Sequence, residues 1–127
     1  MKTLVRAAVK IDIEKVDIQE FERPRVSFDD GLLRVESSGV GGSDPEMYRK
    51  SGRAPCIMGH ENVGTVDELG EGAARRWGLR PGDRIALQEY LPCWHCHWCR
   101  QGDFRLCMKA DFFNVKDQFN TLRYGTC

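Results

Sequence analysis

Short β-rich apolar runs separated by turn residues dominate the first two thirds of the chain. They lie at Leu4 to Ile13, Gly31 to Glu36, Asn62 to Leu69 and Arg84 to Leu87. Strands at this spacing predict a small barrel or sandwich, with none of the regular strand-and-helix alternation that builds a parallel sheet. Two joints are written out in the sequence, Asp30-Gly31 and Pro81-Gly82-Asp83. There Pro presets φ and Gly accepts conformations closed to other residues. Helical signal is thin. It is confined to Pro45 to Lys50, behind a Ser43/Asp44 cap, and to Ala73 to Trp77, both short.

One segment needs separate treatment. Leu69-Gly70-Glu71-Gly72-Ala73-Ala74-Arg75 follows a strand and resembles the opening of a dinucleotide-binding fingerprint. Arg75, however, stands where a small residue must let helix and strand pack closely, and the helix ends at Gly78. Gly70 to Gly72 therefore reads as a turn. The tail from Asp111 to Cys127 carries Phe112, Phe113, Phe119 and Tyr124 without periodicity, and reads as a loop that packs elsewhere.

At 127 residues, with 41% hydrophobic and 30% charged side chains, the chain is expected to form one globular domain. Nineteen basic residues balance nineteen acidic ones, so no global field favours nucleic acid or an anionic membrane. Lys2, Arg6 and Lys10 interrupt the N-terminal apolar residues, which argues against a signal peptide. No stretch approaches the ~20 apolar residues that span a bilayer. A cytoplasmic location follows as the expectation.

Six cysteines then change the picture, because four of them, Cys93, Cys96, Cys99 and Cys107, fall close together, while Cys56 and Cys127 stand alone. In a reducing compartment such a cluster points to metal rather than disulfides. Three thiolates on a tight loop and a fourth after a short excursion can close a sulfur tetrahedron around Zn²⁺. All four positions would be filled by protein, which makes the site structural. The rival readings are weaker. Cys93-Trp94-His95-Cys96-His97 also fits covalent haem attachment, but this leaves Cys99 and Cys107 idle. An iron-sulfur cluster is disfavoured by the wide gap before Cys107, and two disulfides by the compartment. His95 and His97 read as exposed spacers.

Taken in order, Gly39-Val40-Gly41-Gly42-Ser43-Asp44, Gly59-His60-Glu61-Asn62-Val63-Gly64, Pro81-Gly82-Asp83-Arg84-Ile85 and the cysteine lobe resemble the N-terminal domain of zinc-containing medium-chain alcohol dehydrogenases. The resemblance covers the chain from Met1 to Cys107. It implies a mainly β fold over 1–127: a GroES-like, partly open β-barrel with short helices and a zinc-binding loop lobe at about 91–108. It also implies a Rossmann domain binding NAD or NADP, which this sequence does not contain. The implied reaction is oxidation of a small alcohol or reduction of a carbonyl compound. Association in the family runs through the cofactor domains, so kinship gives no oligomeric state here.

Carried over by position, His60 would be a ligand of the family's catalytic zinc, Glu61 a neighbouring carboxylate able to approach it, Asp44 the acceptor that orients His60, and Ser43 the start of the proton relay. The family's first zinc ligand is a Cys immediately before the Gly-Ser-Asp run, and here that position is Gly41. Its third ligand lies beyond Cys127. A catalytic zinc normally needs three protein ligands, so the expectation is an impaired catalytic metal site, with this stretch inactive on its own. Plainer readings compete: Ser43 or Asp44 as a helix cap, and His60 as a satisfied structural histidine. Cys56 is not promoted to a replacement ligand by spacing alone. The alternative function is a non-enzymatic zinc-stabilised module, or a truncated remnant, acting in protein interaction.

Overall fold

A computed structural model describes residues 3–51, 55–88 and 92–109; the tail read above as a packing loop lies outside them. Ten elements run in the order β1 (Leu4–Asp12), β2 (Lys15–Glu22), β3 (Gly31–Gly39), α1 (Asp44–Arg49), β4 (Cys56–Ile57), β5 (Glu61–Leu69), α2 (Glu71–Trp77), β6 (Arg84–Ala86), α3 (His97–Arg100) and a 3₁₀ turn (Phe104–Leu106). The strands form two three-stranded antiparallel sheets, ordered β2-β1-β4 and β3-β5-β6. Among the described residues these sheets do not close on one another, giving a mainly β, partly open fold with short helices.

The four expected strands are present as β1, β3, β5 and β6. Two others, β2 and β4, were not foreseen. Strand β2 is rich in Asp, Glu and Lys, which are depleted in strands, and it survives as an edge strand paired along its length with β1. Its charges suit an edge, since they discourage pairing with other chains. Strand β4 has only two residues, Cys56–Ile57, too few for any periodicity to show.

The turn expected at Gly70 to Gly72 is corrected. Gly70 is the N-cap of α2 and Gly72 lies inside its first turn. Gly70 has an extended backbone, and the Ala74 amide donates to its carbonyl at 2.9 Å, so the helix starts two residues before the apolar signal at Ala73. It stops where expected, at Gly78, which adopts φ 64° and donates its N–H to the Ala74 carbonyl. The Pro81-Gly82 turn is also as expected. Asp83 accepts from the Arg80 amide at 2.8 Å, and Gly82 donates to Val66 across to β5.

The core is small. Val9, Cys56, Val66 and Ala73 are buried, while Leu4, Ile18, Val35 and Leu87 remain more than half exposed. Gly64 permits a close approach at the middle of β5, because a side chain there would run into the Arg34 carbonyl of β3. Ion pairs at the surface tie the segment just after β2 to β5, through Arg23 with Asp67 and Glu68, both at 2.9 Å, and β6 to β3, through Arg84 with Glu36 at 2.9 Å. Water screens such exposed pairs and they add little, so backbone pairing and the small core carry most of the stability. Among the described residues no helix is long and apolar enough to cross a membrane.

Candidate functional site

The loop that carries Cys93 and Cys96 leads into the four-residue helix α3, which carries Cys99, and the 3₁₀ turn then delivers Cys107. This path brings all four sulfur atoms within 4.8 Å of one another. Cys93–Cys99, Cys96–Cys99 and Cys96–Cys107 are separated by 3.9, 3.5 and 3.9 Å between Sγ atoms. A tetrahedron with Zn–S bonds of about 2.3 Å has edges of about 3.8 Å, so the cage already has the dimensions of a tetrathiolate zinc site. None of the four is paired in a disulfide. His95 and His97 are exposed, as spacers should be.

Backbone amides supply the electrostatics that four thiolates need. The Cys93 amide donates to Cys107 Sγ at 3.3 Å and the Cys96 amide to Cys93 Sγ at 3.4 Å. The Cys99 amide, helped by that of Met108 and by neighbouring thiols, draws the Cys96 thiol down to about 6, against its partial desolvation. The His95 amide is the largest influence holding Cys93 below the ordinary thiol value. Burial, reinforced by hydrogen bonds to Cys107 and Cys96, pushes Cys99 up to about 12. Cys99 must therefore surrender a proton to bind metal, whereas Cys96 is largely ionised at neutral pH. Metal competes with protons for thiolates, so affinity should weaken steadily as pH falls. The slope of log affinity against pH should steepen by about one below pH 6, where Cys96 also takes up its proton. A competitive zinc titration between pH 5 and 8 checks this; a constant slope would contradict it.

Trp94 sits inside the same loop with φ 64°, a left-handed conformation unusual for a bulky residue. Its side chain is 65% exposed and meets the Phe104 ring edge-on at 5.0 Å between centroids.

The second cluster lies where β3 runs into α1 and where β4 runs into β5. Ser43 is exposed at the N-cap of α1 and makes no side-chain capping bond. Asp44 begins the helix, and its side chain is 2% exposed. One oxygen, Oδ2, accepts from the Gly41 amide at 2.7 Å and lies 3.2 Å from His60 Nδ1. The capping reading thus fails for both side chains, and Asp44 has the geometry of a group that orients His60. The imidazole is then protonated on Nδ1. His60 is fixed from below by its own amide, which donates to Gly39 at 3.3 Å.

Gly41 explains where the ring has gone. A Cβ at residue 41 would project straight into His60 Nε2 and Cε1, so the imidazole occupies the space of a side chain that is not there. Glu61 is exposed and folds over Gly39, where a Cβ would come within 2.8 Å of its Oε2. At this place the described residues offer one imidazole nitrogen turned toward the Gly41 backbone and one exposed carboxylate. Among the described residues only the cysteine quartet gathers three or more metal-ligating groups. Asp44 and His60 therefore meet, with Ser43 and Glu61 next to them in the chain, and among the described residues these four do not gather as a metal-ligating group.

Comparison with known proteins places this arrangement. The alcohol dehydrogenase GroES-like domain family matches residues 28–126. The chain belongs to that family. It is 36% identical over 114 residues to a sorbitol dehydrogenase of Arabidopsis thaliana, covering 84% of this chain and 30% of the relative. It is 32% identical over 111 residues to an erythritol/L-threitol dehydrogenase of Mycolicibacterium smegmatis, covering 78% and 31%. The solved alcohol dehydrogenase of Thermus sp. ATN1 superposes with a TM-score of 0.75 at 33% identity, over 94% of this chain and 34% of that one. Galactitol-1-phosphate dehydrogenase of Escherichia coli gives 0.74 at 33%, over 86% and 32%. The chain thus spans about 30% of the length of its curated relatives. As a GroES-like domain of the alcohol dehydrogenase family, it has two separate places of chemical interest, the cysteine lobe and the Asp44–His60 cluster.

Proposed function

We propose that residues 1–127 form the N-terminal GroES-like domain of an alcohol dehydrogenase-like oxidoreductase, with one structural zinc in the cysteine lobe and an impaired catalytic metal site. The observation that carries the zinc assignment is the cage of four unpaired sulfurs at tetrahedral spacing. Cys93, Cys96, Cys99 and Cys107 would hold the ion. With four protein ligands it would do no chemistry and would serve to shape the loop.

The reaction proposed for the whole protein is oxidation of a small alcohol or reduction of a carbonyl compound, with NAD or NADP as the hydride partner and in the cytoplasm. The support is kinship with dehydrogenases of sugar alcohols and related compounds. On this domain, Asp44 would fix the tautomer of His60, and the Ser43 hydroxyl, which is exposed, would take up the substrate proton, since a hydroxyl both donates and accepts. No step is assigned to a catalytic metal, because the ligands present do not fit one. Kinship with these enzymes favours the oxidoreductase reading over a non-enzymatic interaction module.

The test is metal stoichiometry by elemental mass spectrometry on the purified chain. We expect about one zinc per molecule. A chain without zinc would sink the structural assignment. Two tightly held zincs would sink the impaired-site assignment.

A further inference from the structure

Lys10 is 1% exposed, a costly place for an ammonium group unless its donors are used. It lies on β1, where its backbone pairs with Cys56 of β4. Three residues after β4 ends, the chain reaches His60. The side chain goes the other way, to the C-terminal end of α1, where Nζ donates to the Met47 carbonyl at 2.6 Å and to the Lys50 carbonyl at 2.8 Å. Asp44 is at the opposite end of that helix. One residue therefore touches both arms of the Asp44–His60 pair, through its main chain on one side and its side chain on the other.

The β1–β2 turn adds a second hold. Glu14, at φ 52°, donates its amide to the Tyr48 carbonyl at 2.9 Å, and the Tyr48 hydroxyl donates to the Glu14 carbonyl at 2.5 Å. Two carbonyls in the last turn of α1, those of Met47 and Tyr48, are thus satisfied from the hairpin. This matters because a helix leaves its last carbonyls without internal partners, and six residues are too few to be stable unaided. The helix stays where outside bonds put it.

We propose that Lys10 is a positioning residue which, with the Glu14–Tyr48 clasp, sets the separation of Asp44 and His60 by anchoring α1 to the β1–β2 hairpin. The geometric claim stands on these bonds; its importance for chemistry rests on the oxidoreductase reading, which the metal count tests separately. The experiment is amide exchange by NMR on the whole chain, alongside the imidazole spectrum, where only three histidines need assigning. In Lys10→Met the amides of Gly41, bonded to Asp44, and of Met47, bonded to Ser43, should exchange roughly 10-fold faster. Amides of the β3–β5 ladder should stay within about twofold, and the proton on His60 Nδ1 should lose its protection. Should Lys10→Met fail to fold, Tyr48→Phe, which removes one surface hydrogen bond, decides the matter, with a rise of about two- to fivefold confined to the same amides. Unchanged Gly41 and His60 signals, or acceleration of every amide together, would overturn the proposal.

Discussion

Replacing Cys99 with Ser should empty the cysteine lobe of zinc. Cys99 is, with Cys107, one of the two buried members of the quartet and lies 3.5 Å from Cys96 and 3.9 Å from Cys93, so its loss opens the cage on a buried side. Losing a group that merely supports a metal ligand already weakens affinity by roughly 10–100-fold. Losing the ligand itself should therefore cost more than about 100-fold. Because binding energy here is also folding energy, the melting temperature should fall with the zinc content, and addition of zinc should raise it less than in the parent chain. Elemental analysis paired with calorimetry measures both. Unchanged metal content and melting would show that the lobe is held by something other than metal.

Gly41→Ala is expected to dislodge His60 without adding any ligand. The new methyl would project into the ring at Nε2 and Cε1, and the ring cannot yield without leaving Asp44, whose carboxylate is buried. Asp44 would retain the Gly41 amide but lose the imidazole N–H. A strained contact plus a weakened buried hydrogen bond costs about 1–3 kcal/mol. Urea unfolding should show that loss, with the zinc content still about one. A crystal structure with the His60–Asp44 separation unchanged would refute the expectation. Gly41→Cys should displace His60 in the same way, so restoring the family's ligand type would not by itself restore a catalytic site. That substitution separates a missing donor from a collapsed one.

How far this was legible in the sequence varies with the kind of signal. The cysteine quartet needed only spacing, since the chain between ligands is too short to send them elsewhere. Strands β1, β3, β5 and β6 followed from β-branched and apolar runs, and the helix stop at Gly78 from its backbone freedom. Strand β2 was hidden because its stability comes from pairing with β1 and not from its own charged residues. The cluster of Ser43, Asp44 and His60 came from the family pattern, and residue chemistry alone left capping equally open. Lys10 was read only as an interruption of an apolar run. Nothing in the sequence indicates that its ammonium is buried against the end of α1, because that contact spans 37 and 40 residues.

The left-handed backbone of Trp94 has a consequence for how the molecule matures. A bulky residue does not choose φ 64° unaided, and the Trp94 side chain, although it meets Phe104 edge-on, is largely exposed. If the lobe holds zinc as proposed, the ion would act as a mould that keeps the loop in this shape. Both three-stranded sheets can assemble beforehand from their own ladders. On the same proposal, chains made without zinc would have finished sheets and an unset lobe, with proteolysis expected in that lobe.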